Sequence, residues 1–241
     1  MLYGGIASAV KAFIQKCGLN VDKNRYVNGG FSKVWKLILF GGKKAAYFAL
    51  KKHDCPASVV KWEQHFDVDL NWLWIFRKVI KTTLDPQLRW FQLRLLHRLL
   101  PTNRYLHVRK LADTALCSFC NNEDETIVHL FWECTYSQIF WTDVLKWITD
   151  NCQHCNNLTL SKELVIFGVK QNIVTDKVFD LIMLLAKFHI YKCKLQTAIP
   201  NKTAFVQQVK YRYIVESYSH ALSGSRQKFA VDWLPYINLV A

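Results

Sequence analysis

From residue 67 onward, apolar and polar positions alternate on helical rather than strand spacing. Leu70, Trp74, Arg77 and Lys81 fall on successive turns, and Asp67 or Asp69 can cap a helix running to about 83. Asp85-Pro86 then supplies an N-cap with proline at the first helical position, a strong start signal. The helix expected over 87–100 carries apolar residues at 88, 91, 95 and 99 and again at 93, 96 and 100, a broad buried face, and Pro101 stops it. Shorter helices are expected over 126–132 and 137–148, and two long ones over 176–196, behind a Thr175 cap, and 203–221, ending near Gly224. Before residue 61 the pattern is less legible. A short apolar run at 34–40 ends at Gly41-Gly42, and 45–52 reads as a helix closed by Cys55-Pro56. The expected fold is mainly α: a helical domain with a small zinc-binding hairpin and helix built in. Its expected divisions are a basic N-terminal region, 1–60, basic helices with the metal module, 61–148, and a helical C-terminal region, 149–241.

Composition narrows the class. Half of the 241 residues are hydrophobic and 21% are charged, which excludes a disordered chain. The best membrane candidate, 178–191, is too short and carries Asp180 and Lys187, so no membrane association is expected. The N-terminus lacks the basic start of a secretory signal, which points to a reducing compartment, cytoplasm or nucleus.

The formal charge of +14 is unevenly placed. Between residues 77 and 110 lie nine bases (Arg77, Lys78, Lys81, Arg89, Arg94, Arg98, Arg104, Arg109, Lys110) and one acid, Asp85. Between 111 and 150 the balance reverses to seven acids and one base, Lys146. A basic excess of this size points to a polyanionic partner, because each cation set against a phosphate releases condensed counterions.

Cys117, Cys120, His129 and Cys134 stand in the spacing C-x2-C-x8-H-x4-C. Two cysteines separated by two residues are the usual half-site for tetrahedral zinc, and His129 and Cys134 close the set from the end of a helix. Three thiolates and one imidazole leave no open position for water, so one structural Zn2+ is expected rather than a catalytic one. A disulfide framework is the weaker alternative. Cys152 and Cys155 repeat the half-site without a second pair at usable spacing.

These residues have a family likeness. Trp62-Glu63, the segment FQLRLLHRLLPTN (91–103), the four ligands and the phrase HLFWEC (129–134) together resemble the reverse-transcriptase zinc-binding region of LINE-type (non-LTR) retrotransposons. The resemblance is strong over 61–147 and weaker over 175–215, where FHIYKCK (188–194) is similar to the helical tail of such proteins. It implies association with nucleic acid, RNA above all, beside the polymerase domain of a parent protein. No two aspartates are adjacent in the chain, so it lacks the paired acids of a polymerase motif, and no enzyme activity is expected.

The zinc segment itself carries Glu123, Asp124, Glu125 and Glu133, a poor surface for phosphate. The expectation is therefore that zinc pins an acidic hairpin against the preceding helices and orients Arg89, Arg94, Arg98, Arg104, Arg109 and Lys110 toward RNA. Lys187, Lys192, Lys194, Lys202, Lys210 and Arg212 form a second candidate basic face. Phe119, Phe131 and Trp132 either stack on bases or pack around the metal, the latter being preferred. Arg94 and Arg98 either face phosphate or pair with Glu123–Glu125. The alternatives to RNA binding are a zinc-stapled protein-interaction domain and a truncated, non-functional retrotransposon copy.

Overall fold

The computed structural model describes residues 56–67, 70–152, 155, 158–168 and 176–241. The expectations for 34–40, 45–52 and Thr175 lie outside them. The order of helices is α1 (Ala57–Phe66), α2 (Trp72–Thr82), α3 (Pro86–Leu96), α4 (Asn103–Val108), α5 (Thr135–Asn151), α6 (Lys162–Phe167), α7 (Lys177–Leu195), α8 (Lys202–Leu222) and α9 (Arg226–Trp233). A wide π-turn, His129–Glu133, precedes α5, and a 3-10 turn, Leu234–Leu239, closes the chain. Residues 56–241 form one compact unit, mainly helical as expected. The extended pairing among the described residues is one antiparallel bridge, Leu116 with Asp124.

The centre of the unit is α7. Fourteen of its nineteen residues are buried, Lys187, His189 and Lys194 among them, so it needs neighbours over most of its surface. It packs against α2, α3, α8, α9 and the π-turn. Asp176 caps it by accepting from the Phe179 N–H at 2.8 Å. One continuous apolar core runs from Trp62 to Leu239.

Several boundaries differ from expectation for identifiable reasons. Pro56 stands at the N-cap of α1, and the helix buries Val59, Trp62 and Phe66 on one face. The Trp62 indole donates to the Leu96 carbonyl at 2.8 Å, tying α1 to the end of α3. Asp67 does not start the next helix. It sits in the left-handed region (φ 52°) and closes α1, its N–H bonded to Glu63 O, while Asn71 caps α2. The expected run to residue 100 stops at Leu96, because Arg98 turns the chain with φ 57°.

A polar cluster sits inside this core. The buried Lys187 ammonium donates to Gln92 Oε1 at 2.7 Å and to the Ile166 carbonyl at 3.3 Å. Lys78 and Asp180 pair at 2.6 Å beside a cavity of about 30 Å³ that Lys187 also lines. Burial, then the Lys78 charge, lowers the Lys187 pKa from 10.5 to about 7, with Asp180 opposing.

Candidate metal centre

A short hairpin presents the first two ligands. Cys117 N–H bonds to Glu123 O at 2.8 Å and Glu125 N–H to Ala115 O at 2.8 Å, which brackets the turn at residues 117–121. Asn121 N–H returns to Cys117 O at 2.9 Å, with Asn121 at φ 51°, a conformation asparagine tolerates better than most residues. The Phe119 N–H points at Cys117 Sγ at 3.4 Å, so the turn wraps backbone donors around a sulfur that will carry negative charge.

The second pair comes from the π-turn. On a regular α-helix, residues five apart point about 140° away from each other. Here Cys134 N–H bonds back to His129 O at 2.8 Å, five residues earlier, and the widened turn brings both side chains to one side. Widening takes backbone carbonyls out of the usual ladder, and side chains receive them. Ser137 Oγ donates to Leu130 O at 2.6 Å, and the Trp141 indole donates to Phe131 O at 2.7 Å. The expected helix over 126–132 is thus a half-turn entering a π-turn, started by Thr126, whose hydroxyl accepts the His129 N–H at 3.0 Å.

The four ligand atoms lie within 4.8 Å of one another, and the Cys117, His129 and Cys134 side chains are buried. Two bonds of about 2.3 Å from zinc at the tetrahedral angle place their sulfurs about 3.8 Å apart, and a sulfur and a nitrogen about 3.6 Å apart. Cys117 Sγ and Cys134 Sγ are separated by 3.8 Å, and Cys120 Sγ and His129 Nε2 by 3.4 Å. The Cys134 thiol is held low first by the hydrogen bond from Cys117 and then by the amides of Tyr136 and Ser137, against burial. The same bond and burial push Cys117 up. The donor set fits tetrahedral zinc.

Residues 44–141 match the family of zinc-binding domains in reverse transcriptase. The matched span includes all four candidate ligands, and its last residue is Trp141, which holds the Phe131 carbonyl. The cofactor is zinc, and Cys117, Cys120, His129 and Cys134 would hold it in a set with no place for a water ligand. Among curated proteins, none matches the chain significantly.

A buried acid locks the zinc hairpin to the helices. Glu125, fully buried, accepts from the Asn103 N–H and the Ser118 N–H, each at 2.8 Å, and pairs with Lys194 of α7 at 3.3 Å. Asn103 completes the lock by donating to Leu116 O at 2.7 Å and accepting from Lys194 at 3.1 Å. Sequence reasoning assigned Glu125 to an acidic surface. Its position just ahead of a helical turn, between Cys120 and His129, was the available signal.

The expected basic residues divide. Arg89 donates to the Thr83 carbonyl at 2.5 Å and the Ile80 carbonyl at 2.7 Å, capping the end of α2. Arg98 lies 4.3 Å from the Trp62 ring centre, partly buried, and burial lowers its pKa. Neither Arg94 nor Arg98 pairs with Glu123–Glu125; Arg104 meets Asp124 at 2.7 Å and Lys194 meets Glu125. Arg94, Arg109 and Lys110 are exposed, Arg109 lying 3.6 Å over the Tyr105 ring. The second basic face is reduced: Lys187 and Lys194 are buried and Arg212 is held by Asp85 at 2.6 Å, while Lys192 and Lys202 are exposed.

Phe119 and Phe131 are buried and Trp132 half-buried, so these aromatics pack around the metal. Cys152 and Cys155 face each other at 2.8 Å in the core, and burial followed by the bond to Cys152 pushes the Cys155 thiol up to about 12. Among the described residues they join no third metal-ligating group, and His189 and Cys193 pair with each other on α7 at 3.6 Å.

Proposed function

We propose that this chain is a non-catalytic RNA-binding module of a LINE-type retrotransposon reverse-transcriptase protein, in which zinc holds the acidic hairpin in place and the neighbouring helices make the contact. The observation that carries this reading is the state of the charges between residues 70 and 110. Arg77, Lys81, Arg94, Arg109 and Lys110 are exposed there, while the one acid of that stretch, Asp85, caps α3 and is held by Arg212. The zinc hairpin contributes rigidity: through Glu125 and Asn103 it fixes α4, at whose end Arg109 and Lys110 stand.

The test is a titration of the zinc-loaded chain with single-stranded and duplex RNA over a series of salt concentrations. Affinity should fall steeply, with a log–log slope of about −0.7 per phosphate contact on a single strand. Replacing Arg94, Arg109 and Lys110 together by alanine should flatten the slope by about two, since each contact contributes a fixed increment of about 0.7. Absence of RNA binding at low salt by a folded, zinc-loaded chain overturns the reading. A protein-interaction role has separate support in α8, where Tyr211, Ile214, Tyr218 and Leu222 form an exposed stripe on helical spacing.

A further inference from the structure

We infer that Trp90 and Arg94, one turn apart on the solvent side of α3, form a stacking site for an unpaired base of a single-stranded nucleic acid. The inference rests on the nucleic-acid reading above and assigns it a contact. The inward face of α3 carries Leu88, Phe91, Gln92, Leu95 and Leu96, all buried. Its opposite line, Gln87, Trp90 and Arg94, is exposed throughout. Trp90 is 65% exposed, more than any other tryptophan among the described residues. A large flat ring left in water beside a cation offers what a base and its phosphate need together: a π-face to stack on and a charge for the backbone.

The surroundings favour the same ligand. Phe91, next to this line, packs on Phe188 and Tyr191 of α7, with ring centres 5.2 and 5.5 Å apart. Lys192 of α7, itself exposed, lies 5.8 Å from the Phe188 ring centre. The nearby acids are occupied. Asp85 accepts from the Gln87 and Leu88 amides and from Arg212, and Glu125 is buried against Lys194. Arg94 forms no ion pair among the described residues, whereas Arg89 and Arg98 are spent on carbonyls and on Trp62. Phe119 and Phe131 of the zinc module, being buried, offer no stacking face.

The experiment is a binding comparison of three zinc-loaded proteins with three strands. Wild type, Trp90→Ala and Trp90→Phe are titrated with an octaadenylate strand, as RNA and as DNA, and with an abasic phosphodiester octamer of equal charge. Trp90→Ala should weaken octaadenylate binding by about five- to a hundredfold and leave the abasic strand unchanged, since stacking needs a base. Trp90→Phe should retain most of the affinity, and the sugar whose strand shows the larger loss identifies the source. Thermal melting should be unaltered, because the ring is exposed. Equal binding by Trp90→Ala and wild type overturns the inference and leaves the broader reading standing, as does an equal loss on the abasic strand. Failure of wild type to bind any of the strands overturns both.

Discussion

Replacing Lys187 by methionine should stabilise the protein, and by an amount that depends on pH. The methionine keeps the unbranched apolar stem and removes the ammonium, so packing in the core is nearly conserved. Lowering the lysine pKa from 10.5 to about 7 corresponds to a native-state penalty on the charged form on the order of 5 kcal/mol. Below about pH 7 both folded and unfolded chains hold this proton, and the penalty is present in full. Between about pH 7 and the ordinary lysine value of 10.5, the unfolded chain binds a proton that the folded chain does not. Wild-type stability from this group therefore rises with pH, by about 1.4 kcal/mol per pH unit, and Lys187→Met lacks that rise. The variant also leaves Gln92 Oε1 without its donor, a pH-independent loss of about 1 kcal/mol. The assay is urea unfolding of both zinc-loaded proteins from about pH 7 to about pH 9. The stability difference should shift by about 2–3 kcal/mol toward wild type across that window. Titrating groups other than Lys78 and Asp180, whose charges act on Lys187, are common to the two proteins and cancel. A difference that stays constant with pH would show that Lys187 keeps its charge in the core and would refute the reasoning.

Two further perturbations address the metal module. Cys134→Ser should reduce zinc below one per chain and lower the melting temperature, because the free energy of structural zinc binding is folding free energy; full zinc content with an unchanged melting curve contradicts the assignment. Glu125→Ala should cost about 3–5 kcal/mol in urea unfolding, since it strands the Lys194 charge and two amides. Adding Lys194→Met should recover part of that loss, and a loss below about 1 kcal/mol for Glu125→Ala alone would remove Glu125 from its structural role.

The zinc ligands were legible because metal ligation is a local matter: four donors lie within one short hairpin and turn, and their chemistry is written in their identity. The core of α3 was legible for a similar reason, through Asp85-Pro86 and a regular apolar face. The fate of the charges was not. A guanidinium in the sequence has no address, and Arg89 goes to carbonyls while Arg98 lies on Trp62. Glu125 and Lys194 look like surface residues until Asn103 joins them, across separations of 22 and 91 residues. Helix α1 was missed because only three of its ten residues form its buried face, too short a pattern to stand out. The π-turn was missed because its apolar residues also suit an ordinary helix. What distinguishes it is the capture of two carbonyls by Ser137 and Trp141, downstream of the turn itself.

That turn makes counting part of the chemistry. Four residues separate His129 from Cys134, and the i to i+5 closure matches that number. Deleting one residue from the spacer would let the backbone heal into an ordinary helix with a full ladder of hydrogen bonds. The same deletion would swing one ligand about 100° around the axis, away from its partners. Point changes in Leu130, Phe131, Trp132 or Glu133 are thus judged by packing, whereas a change in their number is judged by the metal. Related chains should vary in the letters of this spacer more readily than in its length.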